Sequence, residues 1–378
     1  MKQAQMKLKH IFIFSLLAVL SACSSKETNT PQQQPITWKV VAGGSQSFLL
    51  SSDGKLYSVG YNYFGQLGLG DNASRDRFTL VTNNVRMVTT GASHSIILKN
   101  DGKCYVAGNN DNGQLGLGDN LSRNTLTLVT DNVKMIAAGT YHSLILKNDG
   151  KLYGAGYNTD GQLGLGDNLS RDTFALVTEN VKMVVAGGLH SLVLKNDGKL
   201  YGAGFNMSGQ LGLASQYGND NLYSFTLIPG FENIDTLEAG GVHSLILKSD
   251  EELYGAGGNT YGQLGLGDNT NRGSFALVMD SIKMIAAGDA FSLILKNNDK
   301  LYATGDNKFG ELGLGDNTSR NIPTLAVDNV EMIATGNNHS LILKKDGKLY
   351  AAGYNLYGQL GLGDEVNRSI FTEVPIPQ

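Results

Sequence analysis

A seven-bladed β-propeller of four-stranded antiparallel blades is the all-β fold predicted by this 378-residue sequence, and three observations carry the prediction. A Gly-x-Leu-Gly-Leu core starting at Gly65 returns at Gly113, Gly161, Gly209, Gly262, Gly310 and Gly358, in steps of 48, 48, 48, 53, 48 and 48 residues. A fixed period of this size marks a solenoid, propeller or array. Each unit holds four short apolar runs separated by turn residues, with no amphipathic run of helix length. The chain also begins a unit with first-strand residues and ends one with fourth-strand residues, so a whole number of units is available to close a ring.

The unit that starts at Val133 shows the elements in order. Residues 133–138 form a first strand that stops at Gly139, and residues 143–147 form a second. Asn148-Asp149-Gly150 then supplies a hairpin turn, because Gly and Asn tolerate the positive φ that such a turn demands. Residues 151–155 are the third strand, running into the Gly-rich loop, and residues 174–177 are the fourth. Four strands with Gly-marked turns match a propeller blade. One blade buries too little apolar surface alone, so neighbours supply the stability. The first unit opens at Thr37-Trp38-Lys39-Val40 and the last ends on Phe371-Thr372-Glu373-Val374, which makes residues 37–378 one ring.

Composition agrees. Gly is frequent, at 49 residues, without a Gly-X-Y period, so it marks turns and excludes collagen. The apolar share of 41% suffices for a packed core. Formal net charge is −4, from 30 basic and 34 acidic residues. Loss of Lys2, Lys7 and Lys9 with a leader leaves 27 basic residues and a charge of −7. Phosphate-backbone binding rewards clustered Lys and Arg, so no nucleic-acid partner is expected.

The leader itself is legible. Lys7, Lys9 and His10 precede a short apolar run over residues 11–20, the pattern of a secretory signal over residues 1–22. The run is short for a permanent membrane span. Leu20-Ser21-Ala22-Cys23 resembles the bacterial lipobox, which makes Cys23 the expected lipidation site and mature N-terminus. Residues 23–36 are polar and read as a flexible tether, so the expected location is the cell envelope, lipid-anchored at the outer membrane and facing the periplasm or the surface. Cys104 differs in kind. It replaces the Leu of Leu152-Tyr153 and Leu200-Tyr201 and reads as a buried apolar thiol.

The repeat unit combines Ala-Gly-x-x-His-Ser-Leu-x-Leu, Asp-Gly-Lys-Leu-Tyr and Gly-x-Asn-x-x-Gly-Gln-Leu-Gly. In this it resembles the regulator of chromosome condensation (RCC1-like) repeat family, over residues 38–378. The resemblance implies a propeller. Its founding member is a nuclear exchange factor for a small GTPase that also binds chromatin. A secreted acidic chain would not meet that GTPase, so exchange activity is not expected here. Secreted bacterial relatives include a β-lactamase inhibitor protein that binds its target over one face of the ring.

Repeated polar residues are weighed against chemistry in turn. His94, His142, His190, His243 and His339 share one position, with Gln46 and Phe291 in the remaining two units. A metal needs three or four ligands about 2 Å from one ion, which side chains spread round a ring do not supply. Structural hydrogen bonding is expected, and no metal. The Asp-Asn pairs after the Gly-rich loop, such as Asp71-Asn72, lack the ligand spacing of calcium loops and read as turn formers. Arg75, Arg123, Arg171, Arg272, Arg320 and Arg368 are expected to donate hydrogen bonds between blades. No catalytic set and no cofactor motif stands apart from the repeat, so the chain is not expected to be an enzyme.

Variation points to one face. In a meander the first and third turns of every blade lie at the same end. The dipeptide before each His varies, giving Tyr141, and so do the residues around the Asn of the Gly-rich loop. These are Tyr61, Tyr63 and Phe64, then Tyr157 and Phe205, then Tyr261 and Phe309, then Tyr354 and Tyr357. The extended fourth unit, residues 214–224, adds Tyr217 and Tyr223. Tyr and Phe dominate protein-binding hot spots, so these residues are the expected contact set for a protein or peptide partner. A carbohydrate-binding module or an enzyme using the same face is the alternative; an asymmetric acidic pair in one pocket would favour the enzyme.

Overall fold

A computed structural model describes residues 36–213 and 220–377. The leader, the tether from Cys23 to Pro35, and Tyr217 lie outside the described residues. Within them stand seven four-stranded antiparallel sheets, each made of four consecutive strands, and no helix. Blade 1 runs from Trp38–Ala42 to Arg75–Thr82, and blade 7 from Val330–Thr335 to Arg368–Val374. The outer strand is longer than the sequence indicates. In blade 3 it is Arg171–Thr178, because Gly156 pairs with Arg171 across a bulge before Phe174 is reached.

The core lies between blades. The second strand of blade 3, His142–Lys147, is buried on both faces except at its terminal Lys, which is why it reads as a continuous apolar run. Seven apolar clusters each combine the residues of two consecutive blades. Ile96, Leu98 and Val106 of blade 2 pack on Val133, Ile136 and Ile145 of blade 3. At the seam, Val40, Leu49 and Tyr57 of blade 1 pack on Leu341, Leu349 and Leu360 of blade 7. No strand is exchanged there, so side-chain packing and hydrogen bonds close the ring.

Backbone groups at the first turns complete that closure. Gly44 N donates to Gly91 O at 3.1 Å, Thr140 N to Gly188 O at 3.2 Å, Gly188 N to Gly240 O at 2.9 Å and Asn337 N to Gly43 O at 2.9 Å. Ala92 N reaches Thr140 O at 3.4 Å, Gly241 N reaches Gly288 O at 3.2 Å, and Asp289 N reaches Asn337 O at 3.4 Å, so every interface is bridged. The turn glycine is obligatory for steric reasons. A Cβ on Gly139 would overlap the Gly187 carbonyl oxygen and the His142 ring.

The histidines are structural, as expected. His142 Nε2 lies 2.9 Å from Ser191 Oγ of the next blade, and Ser191 Oγ donates to Gln162 O at 2.8 Å. A carbonyl only accepts, so the hydroxyl proton is spent on it, and the imidazole must be the neutral Nε2–H tautomer that donates to the serine. The same relay joins His94 to Ser143, His190 to Ser244, His243 to Ser292 and His339 to Ser47. Each Nδ1 is buried without a partner, so a second proton finds no acceptor. Gln46 instead donates to Gly91 O at 3.0 Å, and Phe291 makes no such bond.

The arginines correct the sequence-based expectation. Arg123 Nη2 donates to Asp119 Oδ2 at 2.6 Å, within its own loop, and Arg171, Arg272, Arg320 and Arg368 repeat the pair at the same distance. Arg75 pairs with Asp71 at 2.5 Å. None of these pairs crosses between blades. The four-residue spacing in a tight turn sets the guanidinium over its own Asp, and such solvent-facing pairs contribute little to stability.

Two expected outcomes follow from this packing. Gly139→Ala destabilises by about 3 kcal/mol or more, because backbone of the next blade must move. Gly198→Ala, with φ of +81° but nothing within 4 Å of the added atom, loses only about 1 kcal/mol. Denaturant midpoints distinguish them. Burial also pushes His94 and His243 down to about 4, and His142, His190 and His339 to about 3. The unfolded chain then binds more protons below the ordinary histidine value near 6.5, so stability is lost as pH falls through that value. Burial raises Glu238 and Glu311 to about 7, which opposes the trend from about pH 4.5 to 7, but two groups do not outweigh five. The thermal midpoint therefore falls between pH 6.5 and 4.5, and replacing His190 by Phe, the residue blade 6 uses, flattens the slope.

Candidate functional site

First and third turns share one end of the ring, as the meander requires. Tyr157 N donates to Tyr141 O at 2.9 Å, and Tyr354 N donates to Asn338 O at 2.8 Å, joining the two turns of one blade. The third loop is pinned by a buried Asn. Asn355 Oδ1 accepts from Leu360 N at 2.9 Å while its Nδ2 donates to Asp364 O at 2.9 Å. Gly358, at φ +77°, passes so close to the outer strand of blade 1 that a Cβ would overlap Asp76. The loop of one blade is thus clamped on the next, and residues beside the Asn are held at fixed positions on the face.

Six of the twelve candidate aromatics meet in one run across blades 6, 7 and 1. The Phe309 and Tyr354 ring centroids are 4.8 Å apart, Tyr354 and Tyr357 6.0 Å, and Tyr357 and Tyr61 4.6 Å. Tyr61 continues to Tyr63 at 6.4 Å and Phe64 at 6.4 Å, and those two rings stand edge to face at 5.1 Å. Tyr63 is 66% exposed and Tyr357 38%, with Leu356 beside them at 53%. Burial and the neighbouring Tyr357 hydroxyl raise the Tyr61 and Tyr354 phenols above their ordinary value. Lys308 Nζ caps one end, 5.3 Å from the Phe309 centroid.

The other candidates are dispersed. Tyr141 and Tyr157 form a separate pair on blade 3, 6.2 Å apart. Phe205, just before the loop Asn of blade 4, and Tyr261, two residues after that of blade 5, lie outside the six-ring run. Tyr223 sits on the outer strand Leu222–Ile228 at the rim, where its carbonyl accepts from Gly166 N of blade 3.

Sequence reasoning missed a set of acids in blades 5 and 6. In blade 2, Gln114 Nε2 donates to Asn109 Oδ1 at 2.6 Å; blade 6 has Glu311 and Asp306 at these two positions. Glu311 is fully buried, its Oε2 accepts from Phe309 N at 2.8 Å, and its Oε1 has no partner. Burial first and the Asp306 charge after it account for its raised pKa. Asp289 stands in the first turn of the same blade and Glu238 on the inner strand of blade 5. Alignment of the seven units would have exposed Glu311 and Glu238 as departures from the repeat, whereas Asp306 and Asp289 stand at positions that vary from blade to blade. Cys104, by contrast, is buried as expected, and burial pushes its thiol up to about 12, which removes it as a nucleophile. Among the described residues no group of three His, Cys, Asp or Glu is placed to hold a metal ion.

Comparison with known proteins places this geometry. Human WBSCR16 superposes with a TM-score of 0.75 at 20% identity, over 85% of this chain and 95% of that one. Yeast Prp20, in its complex with Kap60, gives 0.75 at 21% identity over 93% and 91%. A second structure of Prp20p from Saccharomyces cerevisiae, described with its binding to Gsp1p and histones, gives 0.72 at 22% identity over 90% and 88%. Identities this low show a shared fold. None of the curated protein sequences matches. The model of the regulator of chromosome condensation (RCC1) repeat matches residues 53–98, 101–146, 149–194, 250–295, 298–343 and 346–378, well over half the chain. A second model of the repeat matches six segments between residues 85 and 359. The chain therefore belongs to the regulator of chromosome condensation (RCC1) repeat family.

Proposed function

We propose that the protein is a lipid-anchored binding platform of the cell envelope, which takes a protein or peptide partner on the loop face of its propeller. One observation carries the reading: the six-ring run over blades 6, 7 and 1, partly exposed and held on clamped loops. Rigid Tyr and Phe side chains supply large contact area at small entropic cost, which is the composition of an interface hot spot. The family likeness supports the class of partner, since the yeast relative is known in complex with the protein Kap60. The anchor rests on Leu20-Ser21-Ala22-Cys23.

The enzyme reading has one observation in its favour, the acidic pair Asp306 and Glu311. Against it, Glu311 is fully buried, and Asp306 Oδ1 is engaged by Asn307 N at 2.9 Å and Ser319 Oγ at 3.1 Å. A general acid must reach its substrate. Nucleotide exchange on a small GTPase rests on the family likeness alone.

Two measurements test the platform. A photo-crosslinking residue at Tyr63 in the native envelope captures a defined protein, and Tyr61→Ser with Tyr357→Ser weakens binding of that purified protein at least tenfold, as loss of an aromatic hot spot does. Unchanged binding in the double variant, or selective binding to a glycan array, removes the protein-platform reading. For the anchor, Cys23→Ser moves the chain from the membrane to the soluble fraction and abolishes incorporation of labelled palmitate.

A further inference from the structure

The repeat is regular enough that single departures from it carry meaning. Two residues before the turn glycine, six blades have Val41, Thr89, Ala137, Val185, Ala286 and Ala334, and blade 5 has Glu238. One residue after it, at a position that varies from blade to blade, six blades have Gly44, Ala92, Thr140, Gly188, Gly241 and Asn337, and blade 6 alone has an acid, Asp289. Both carboxylates line the central channel, a cavity of about 550 Å³ whose remaining wall is mostly Gly, Ala, Val and Thr. The cationic residue that lines it, Lys283, is held by Asp299 at 2.9 Å. Among the described residues neither Glu238 nor Asp289 makes an ion pair.

Glu238 is partly exposed to the channel, and its carboxylate sits beside small apolar walls without a counter-charge. Burial accordingly raises Glu238 to about 7, and only the Ala287 amide opposes this. Ala at the same position of blades 3, 6 and 7 shows that the fold itself does not need an acid there. The acid therefore points to a ligand. Its chemistry follows from the walls. One carboxylate cannot replace the hydration shell of a metal ion, which takes about six oxygen ligands. Aliphatic walls suit methylene groups, and a carboxylate at the end of such a surface suits an ammonium.

We propose that the central channel is a binding site for an alkylammonium group, with Asp289 at the loop-face mouth and Glu238 inside. Asp289 Oδ1 lies where a side chain on Gly241 would stand, at the turn of blade 5, so the two acids belong to one sector of the wall. Glu238 stands three residues before Gly241, so the chain between the two places spans at most about 10 Å. An extended polyamine spans that distance, and a lysine side chain entering from the mouth covers most of it. The site is independent of the aromatic run, since neither acid belongs to it.

Equilibrium binding to the full chain tests the site, at low salt and pH 8, where Glu238 is ionised. The probes are spermidine, N-acetyl-lysine methylamide and magnesium chloride, each alone. Saturable binding of one spermidine per chain is expected, weakened at least tenfold by Glu238→Ala and several-fold by Asp289→Asn, as loss of a charge-assisted hydrogen bond does. Glu238→Ala restores the residue of three sister blades, so its melting temperature stays equal or rises, and lost binding then reports the site rather than the fold. Equal or tighter binding of the lysine amide identifies a partner's side chain as the source, and binding of spermidine alone identifies a free polyamine. The assignment is overturned by no saturable binding of either amine up to about 10 mM, by affinity unchanged in Glu238→Ala, or by magnesium competing as well as spermidine.

Discussion

The hydrogen bonds between backbone groups at the seven first turns form a closed girdle, and the position of every other group depends on it. Blade 7 and blade 1 share no strand, so nothing covalent or sheet-like joins the chain ends. What joins them is Asn337 N to Gly43 O, the His339–Ser47 bond and the apolar cluster around Leu49 and Leu341. Backbones approach this closely only if the turn residue has no side chain. The glycine also admits the imidazole beside it, and the imidazole in turn occupies the serine of the next blade. Each relay member is thus satisfied by a neighbour in the adjacent unit, and a buried polar network satisfied in this way fixes blade angle as packing alone does not.

Much of this was legible because the repeat states each rule seven times. The 48-residue step gives the blade, the Asn-Asp-Gly turns give the hairpins, and the recurrence of His with Ser one residue later, unit after unit, signals a structural contact. The arginines were misjudged for an equally physical reason. Position in a repeat says that a residue does the same thing in every unit, but not whether its partner is local, and Asp119 stands four residues before Arg123 in the same loop. Blade 4 shows the alternative in miniature: Leu222 stands at the Arg position, and Asn221 just before it does cross between blades, donating to Asp160 at 2.9 Å.

The aromatic run was half legible. Its residue types and its face were evident, but Tyr61 and Tyr357 lie at opposite ends of the chain, and only ring closure brings them to 4.6 Å. Two of the acids escaped attention because they were hidden by composition: Glu311 for Gln, and Glu238 for a small Ala, Val or Thr, alter one atom type or one side chain within units that otherwise agree. A reading that asks what recurs finds the fold. A reading that asks what fails to recur finds the candidate sites.

That division has an energetic basis. Symmetric positions are those where one solution to packing serves every blade, and departures from it carry a stability cost unless something offsets it. Glu238 and Glu311 place carboxyl groups where their sister blades manage with Ala, Val or Thr and with Gln, whereas the aromatic rings stand on loop positions that tolerate exposure. The seam adds a further constraint. A ligand that touches Phe309, Tyr354 and Tyr61 together touches blades 6, 7 and 1, and so binds only the closed ring. Binding the closed form alone stabilises it by mass action. The face best suited to recognition is therefore also the place where a bound partner would hold together the two ends of the chain.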